Sequence, residues 1–288
     1  MALKIVVLAK QVPDTRNVGK DAMKEDGTVN RAALPAIFNP EDLNALEQAL
    51  QIKEQNPGST ITVLTMGPTR AADILRESLF RGADNGVLLT DRAFAGSDTL
   101  ATSYALACAI RKIGDYDIIV CGRQAIDGDT AQVGPQVAEK LGIPQVTYTE
   151  KILSIEGKKI SVLRRLEHGT ETVETSLPLL VTVNGSADQC RPCNAKLVQR
   201  YKYAKTPTEK GNTADQSLYE SRPYLNLMEW SAAFVDADLS QTGLAGSPTK
   251  VKNVESVVFQ AKESKRLSDA DNEIDELMKE LITNHTIG

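Results

Sequence analysis

The residues best suited to chemistry lie between Cys121 and Gly142, CGRQAIDGDTAQVGPQVAEKLG. An apolar run, DIIVC, ends at Cys121, a small and polar stretch follows, and a helical pattern through Ala138 and Leu141 takes over. In a parallel α/β sheet, ligands bind outside the carboxyl ends of the strands, and the unpaired N–H groups of a helix start favour phosphate. Gly122 and Gly128 are expected to let backbone approach a ligand, and Thr130 and Gln132 to donate to phosphate or ribose oxygens. The loop is neither a P-loop nor GxGxxG, so the pattern alone leaves a nucleotide site and an ordinary turn equally supported. Asp127 and Asp129, two apart in a glycine-containing turn, are expected to contact a ribose or cap the next helix rather than form a catalytic pair or magnesium site.

The other reactive side chains point to packing. Cys190 and Cys193 spell CRPC, half of a tetrahedral thiolate site with no second pair nearby, so small half-buried residues are expected, with a redox disulfide as the alternative. Cys108 and Cys121 fall in apolar patterns and belong to the core. His168 and His285 are too few and too peripheral for a relay. Lys10 closes the first strand, where a phosphate or flavin contact and a solvated terminus are equally supported. Trp230 is expected to anchor packing against a partner.

These residues need a scaffold, and the first half of the chain supplies one. Ile5 to Ala9 reads as a buried strand, and Asn39, Pro40, Glu41 and Asp42 open a helix: a cap, a proline with a helical φ, and two acids at the positive end. Leu43, Leu46, Ala49 and Leu50 continue it at helical spacing. A strand at 60–65, a helix near 71–80, a strand at 87–90, a helix near 98–112 and a strand at 117–121 complete the alternation. A final short strand is expected near 146–148. Strands separated by helices imply right-handed crossovers and a doubly wound, Rossmann-like parallel sheet. Beyond Thr149 the runs shorten and turn at Gly157 and Gly169, which predicts an antiparallel ribbon at about 150–176, returning through Leu179 to Val183. The α/β domain is thus expected over 1–186 and an extended, partner-contacting arm over 187–288, ending in an amphipathic helix with Ile274, Leu277, Met278 and Leu281 behind Ser268.

Composition narrows the function classes. The 288 residues are 41% hydrophobic, enough for one large core, and a net charge of −5 from interspersed acids and bases does not suit nucleic acid or anionic membranes. The apolar run at the start is too short for a secretory core or membrane span, so reduced thiols and a cytoplasmic setting are expected.

The detailed spelling adds a resemblance. GRQAIDGDTAQVGPQVAEKLGIPQVT, with KIVVLAKQVPDT, NPEDLNALEQAL, LTMGP and LPLLVTV, resembles the β subunit of electron transfer flavoproteins over roughly residues 1–186, and GLAGSPTKV extends it into the arm. The resemblance implies a heterodimer with a larger α subunit that carries a redox FAD, while the β subunit holds AMP or a second FAD. Carried over by motif, the cofactor contacts would be Leu8, Ala9 and Lys10; Asn39, Pro40, Glu41 and Asp42; Met66; and Gly122, Arg123, Gln124, Ala125, Ile126, Asp127, Gly128, Asp129, Thr130, Ala131, Gln132 and Val133.

IDGDTAQVGP and LLTDRAFAGSDTLATS are similar to the electron-bifurcating subgroup, in which Thr99 and Thr102 would lie near the second flavin. That subgroup exchanges hydride with NAD(H) and divides the electrons between ferredoxin or flavodoxin and an FAD-dependent dehydrogenase, with no catalytic side chain required. The segment 184–205 differs from the leucine- and proline-containing docking segment of subunits that serve acyl-CoA dehydrogenases. A dehydrogenase of a 2-hydroxy acid such as lactate is therefore expected beside an acyl-CoA or enoyl-CoA one. Three alternatives stay open: a conventional AMP-binding subunit that shuttles single electrons, a stand-alone ATP- or AMP-sensing module, and a nucleotide-dependent synthetase or hydrolase. Against the last stands the lack of an SGGxDS-like or GKS/T motif.

Overall fold

The computed structural model describes residues 1–14, 35–211, 216–249, 264, 266–268 and 270–287. Thr15, Lys250 and Val251, which belong to the motifs quoted above, lie outside them. The first strand, β1 (Lys4–Leu8), alternates its side chains between two layers: Ile5 and Val7 join one buried cluster, Val6 and Leu8 the other. A short antiparallel pair, β2 (Gln11–Pro13) with β3 (Ala36–Phe38), brings the chain to α1 (Pro40–Gln55). Then follow β4 (Thr60–Met66), α2 (Ala72–Arg81), β5 (Asn85–Leu89), α3 (Thr99–Ile113), β6 (Ile118–Gly122) and α4 (Val133–Leu141).

A ribbon of β7 (Gln145–Glu156), β8 (Lys159–Leu166) and β9 (Gly169–Ser176) is antiparallel, and β10 (Leu179–Val183) returns to the sheet parallel to both β6 and β7. The helices α5 (Ala195–Tyr201), α6 (Pro207–Lys210) and α7 (Gln216–Ser221) precede the strand β11 (Met228–Trp230), and α8 (Asp271–Thr283) follows later. Nine strands form one sheet in the order β11-β5-β4-β1-β6-β10-β7-β8-β9. The order reverses about β1, which has β4 on one side and β6 on the other. A crevice opens at the carboxyl ends of strands at such a reversal. The doubly wound α/β class with its ribbon is therefore the architecture observed.

Three features differ from the sequence expectations. The strand expected at 146–148 runs twelve residues as β7, because it continues directly into the ribbon. The arm was expected to bury little, yet Tyr201, Ala204, Tyr219, Leu225 and Leu227 join the cluster beneath α1 and α2, and Ala232 and Val235 join the cluster beneath α3 and α4. It also contributes β11, which pairs parallel with β5 and covers that edge of the sheet. Trp230 accordingly packs within its own chain, tilted against Phe234 at 5.2 Å between ring centroids. By contrast α8 forms where its periodicity places it and has no buried residue. Among the described residues no helix is long and apolar enough to cross a membrane.

Candidate functional site

A cavity of about 400 Å³ opens at the reversal point, within the ~300–1,000 Å³ span of small-molecule sites. Its floor is apolar: Leu8, Leu64, Met66 and Cys121 come from strand ends, and Phe94 and Leu106 from the α3 side. Its rim is polar and comes mainly from two segments, the β6–α4 connection and the β5–α3 connection, with Lys10 and Asp42 beside them. Leu8, Ala9, Lys10, Asp42, Met66, Thr99, Thr102, Gly122 to Ala125 and Gly128 to Val133 all line this one space. Asn39, Pro40, Glu41, Ile126 and Asp127 do not. They stand behind it, and their contacts explain why the loop has its shape.

Asn39 was expected to cap α1, but its side chain makes no capping bond. Its Nδ2 donates to the Gln124 carbonyl at 2.9 Å, and its Oδ1 accepts from the Ile126 N–H at 3.2 Å, so it grips the β6–α4 loop instead. Glu41 does the same, accepting the Gln124 N–H at 2.9 Å while pairing with the Arg123 guanidinium at 3.0 Å. The Arg123 guanidinium also lies 5.7 Å from the Tyr148 ring centroid. Asp42 ties the two central strands together: its carboxylate accepts the Lys10 N–H and the Gly122 N–H, each at 2.9 Å. Burial pushes the Asp42 carboxyl up to about 7, with those two backbone bonds and the Lys10 charge opposing the rise. Burial likewise raises the neighbouring Cys121 thiol, which stays protonated and inert.

The two glycines differ in their surroundings. A Cβ on Gly122 would lie 2.5 Å from Asp42 Oδ1 and 2.8 Å from the Asp42 nitrogen, so this glycine admits the start of α1 while its backbone lines the cavity. A Cβ on Gly128 would meet nothing within 4 Å, and its φ is not positive. The positive φ values fall on Asp129 (49°) and Ala131 (52°). Backbone turned this way aims successive N–H groups to one side. The N–H groups of Thr130, Ala131, Gln132, Val133 and Gly134 meet no protein acceptor among the described residues. Five free donors at the start of a helix suit phosphate oxygens. The acids do not cap α4 as expected: Asp127 pairs with Lys10 at 2.7 Å, and Asp129 accepts from Gln124 at 2.9 Å.

The opposite wall is the loop at 94–98 and the start of α3. Asp98 caps α3, accepting the Leu100 and Ala101 N–H groups at 3.0 Å. Thr99 Oγ1 donates to Gln132 Oε1 at 2.9 Å, linking the two rims. Sequence reasoning missed Leu64, Phe94, Gly96, Ser97, Asp98, Leu106, Cys121 and Gly134 as lining residues. Strand and helix periodicity had placed several of them as core, and only the topology reveals that they face open space. The peripheral residues lie elsewhere: Cys193 is exposed with its sulfur 3.2 Å from an Arg81 guanidinium nitrogen, and burial raises the Cys190 thiol to about 12. His168 and His285 are exposed. Among the described residues no cluster of three or more His, Cys, Asp or Glu could hold a metal ion.

Residues 26–212 match the electron transfer flavoprotein domain. The chain is 46% identical over 258 residues to the electron transfer flavoprotein subunit beta of Megasphaera elsdenii, covering 88% of this chain and 87% of that one. It is 53% identical over 180 residues to the caffeyl-CoA reductase-Etf complex subunit CarD of Acetobacterium woodii, covering 62% and 68% of the two chains. It is also 53% identical over 182 residues to the acryloyl-CoA reductase electron transfer subunit gamma of Anaerotignum propionicum, covering 62% and 67%.

Proposed function

This chain belongs to the electron transfer flavoprotein family as a β subunit, and from that premise we propose that its cavity takes FAD and that the subunit works in electron bifurcation beside a larger α subunit. The observation that carries the proposal is the pairing of five N–H groups at 130–134, without a protein acceptor among the described residues, with a second polar wall at 94–99 across an apolar floor. The first wall suffices for a phosphate; the second extends the site beyond one nucleotide. The residues fit the group, since donors, small side chains and aliphatic surface all face the same space. When bound, the flavin supplies hydride exchange with NAD(H) and its division into single electrons for ferredoxin or flavodoxin and for a partner dehydrogenase.

The chain's own residues bind, orient and insulate. The loop donors hold phosphate oxygens, while Asn39, Glu41 and Asp42 fix the loop from behind. Lys10 adds a positive charge at the rim, partly neutralised by Asp127. Leu8, Leu64, Met66 and Leu106 keep water from the floor.

For the partner dehydrogenase, the relatives' names favour a CoA-thioester reductase. The changed 184–205 segment supports the second reading, a 2-hydroxy acid dehydrogenase. In that segment Lys196, Arg200, Lys202 and Lys205 are exposed and form no ion pair among the described residues, a charge suited to steering an acidic surface. A cytoplasmic setting goes with these partners. The test is to co-express the chain with its α subunit, extract the cofactors and count them. Two FAD per heterodimer are expected, and one FAD with one AMP would refute the assignment.

A further inference from the structure

The two walls of the cavity are held by different parts of the chain. The phosphate loop is fixed from within the α/β body, by Asn39, Glu41 and Asp42. The facing wall is fixed by the arm. Ser247, buried in a turn at 243–249, accepts the Asp98 N–H at 2.8 Å and donates to the Gly243 carbonyl at 2.7 Å. Gly243 in turn donates to Ser97 Oγ at 3.1 Å. The Asp98 carboxylate is shared: one oxygen caps α3, and the other accepts the Thr249 N–H at 3.1 Å and the Thr249 hydroxyl at 2.5 Å. The fit has no slack, since a Cβ on Gly243 would lie 2.3 Å from the Ala93 carbonyl oxygen and one on Gly96 would lie 2.7 Å from Leu244. Nothing in the turn itself lines the cavity.

We propose that the 243–249 turn sets the cavity's preference for a dinucleotide over a mononucleotide. This rests on the assignment of FAD above and goes further, because it places the discrimination in residues that touch neither. A mononucleotide needs only the phosphate loop and the floor, which the turn does not support. A dinucleotide must also lie along 94–99, and that wall stays in place only while Asp98 and Ser97 are clasped. Loosening the clasp therefore raises the cost of ordering the second half alone. Ser247 and Thr249 act as positioning residues.

The experiment uses the full chain, freed of bound nucleotide, titrated with FAD by fluorescence and with AMP by competition. Ser247→Ala leaves the Asp98 N–H without its acceptor, and should weaken FAD about tenfold, equivalent to ~1.4 kcal/mol, with AMP affinity held within about twofold. Thr249→Val removes one exposed hydroxyl and should weaken FAD about threefold. It carries the test if Ser247→Ala fails to fold. Equal losses for both ligands, or none for either, overturn this inference alone when the wild type binds FAD. A wild type that binds AMP but not FAD overturns the assignment beneath it as well.

Discussion

Replacing Gly122 by alanine separates the two roles a glycine can have at a nucleotide site. The added methyl would meet Asp42 Oδ1 at 2.5 Å, the Asp42 nitrogen at 2.8 Å and the Glu41 carbonyl carbon at 2.8 Å. Two of these are backbone atoms of the first turn of α1, which cannot rotate away. The start of α1 must shift from β6, stretching the Gly122 N–H bond to Asp42, now 2.9 Å, and loosening Asp42 from Lys10. Overpacking costs ~1–3 kcal/mol and a weakened hydrogen bond ~1 kcal/mol more. At ~2–4 °C per kcal/mol for a chain of this size, the melting temperature should fall by roughly 4–16 °C. Gly128→Ala is the control, because its Cβ meets nothing within 4 Å and its φ is not positive. It should be neutral or gain up to ~1 kcal/mol through the unfolded state. Differential scanning calorimetry of the two variants with nucleotide removed, followed by nucleotide titration, checks both. A Gly122→Ala protein as stable as the wild type would refute the crowding argument, and a Gly128→Ala protein that melts early would show that the loop is tighter than its contacts indicate.

Two further outcomes follow from charged groups. Arg191 bridges Glu47, whose side chain is 8% exposed, and the more exposed Glu54. Arg191→Ala should cost ~2 kcal/mol, below the ~3–5 kcal/mol of a fully buried pair because the arginine is partly solvated, and denaturant titration would expose an overestimate as an unchanged midpoint. Asp42 has its folded-state carboxyl raised by burial from 3.8 to about 7. The folded protein therefore holds a proton the unfolded chain has released, so this group's contribution is full below pH ~4 and is lost as pH climbs to ~7. Asp42→Asn should remove that part of the decline, up to ~4 kcal/mol across the interval. Parallel stability-versus-pH curves for wild type and variant would contradict it.

The parallel layers were legible because hydrophobic period is a local property: Ile5 to Leu8, Thr60 to Thr65 and Ile118 to Cys121 announce strands wherever they are placed. The place of the cavity, outside the carboxyl ends of the strands, followed from the strand ends and was equally accessible. What could not be read was anything decided by distant partners. β11 is three residues long, and its pairing with β5 joins segments more than a hundred residues apart. Asn39 has the chemistry of a helix cap and spends it on Gln124 and Ile126, because the fold brings that loop closer than its own helix turn. The left-handed residues of the loop are Asp129 and Ala131, neither of them a glycine, so composition did not mark where the backbone reverses.

The division of the cavity between body and arm also orders events in time. A growing chain has the floor and the phosphate loop once Gly134 has emerged, but the opposite wall waits for Ser247 and Thr249, whose bonds to Asp98 span 149 and 151 residues. At ~5–20 residues per second of synthesis, the gap is on the order of ten seconds. On the reading proposed above, a nascent chain in that interval would offer the phosphate loop and the floor alone, and the facing wall would be fixed only once the arm has docked.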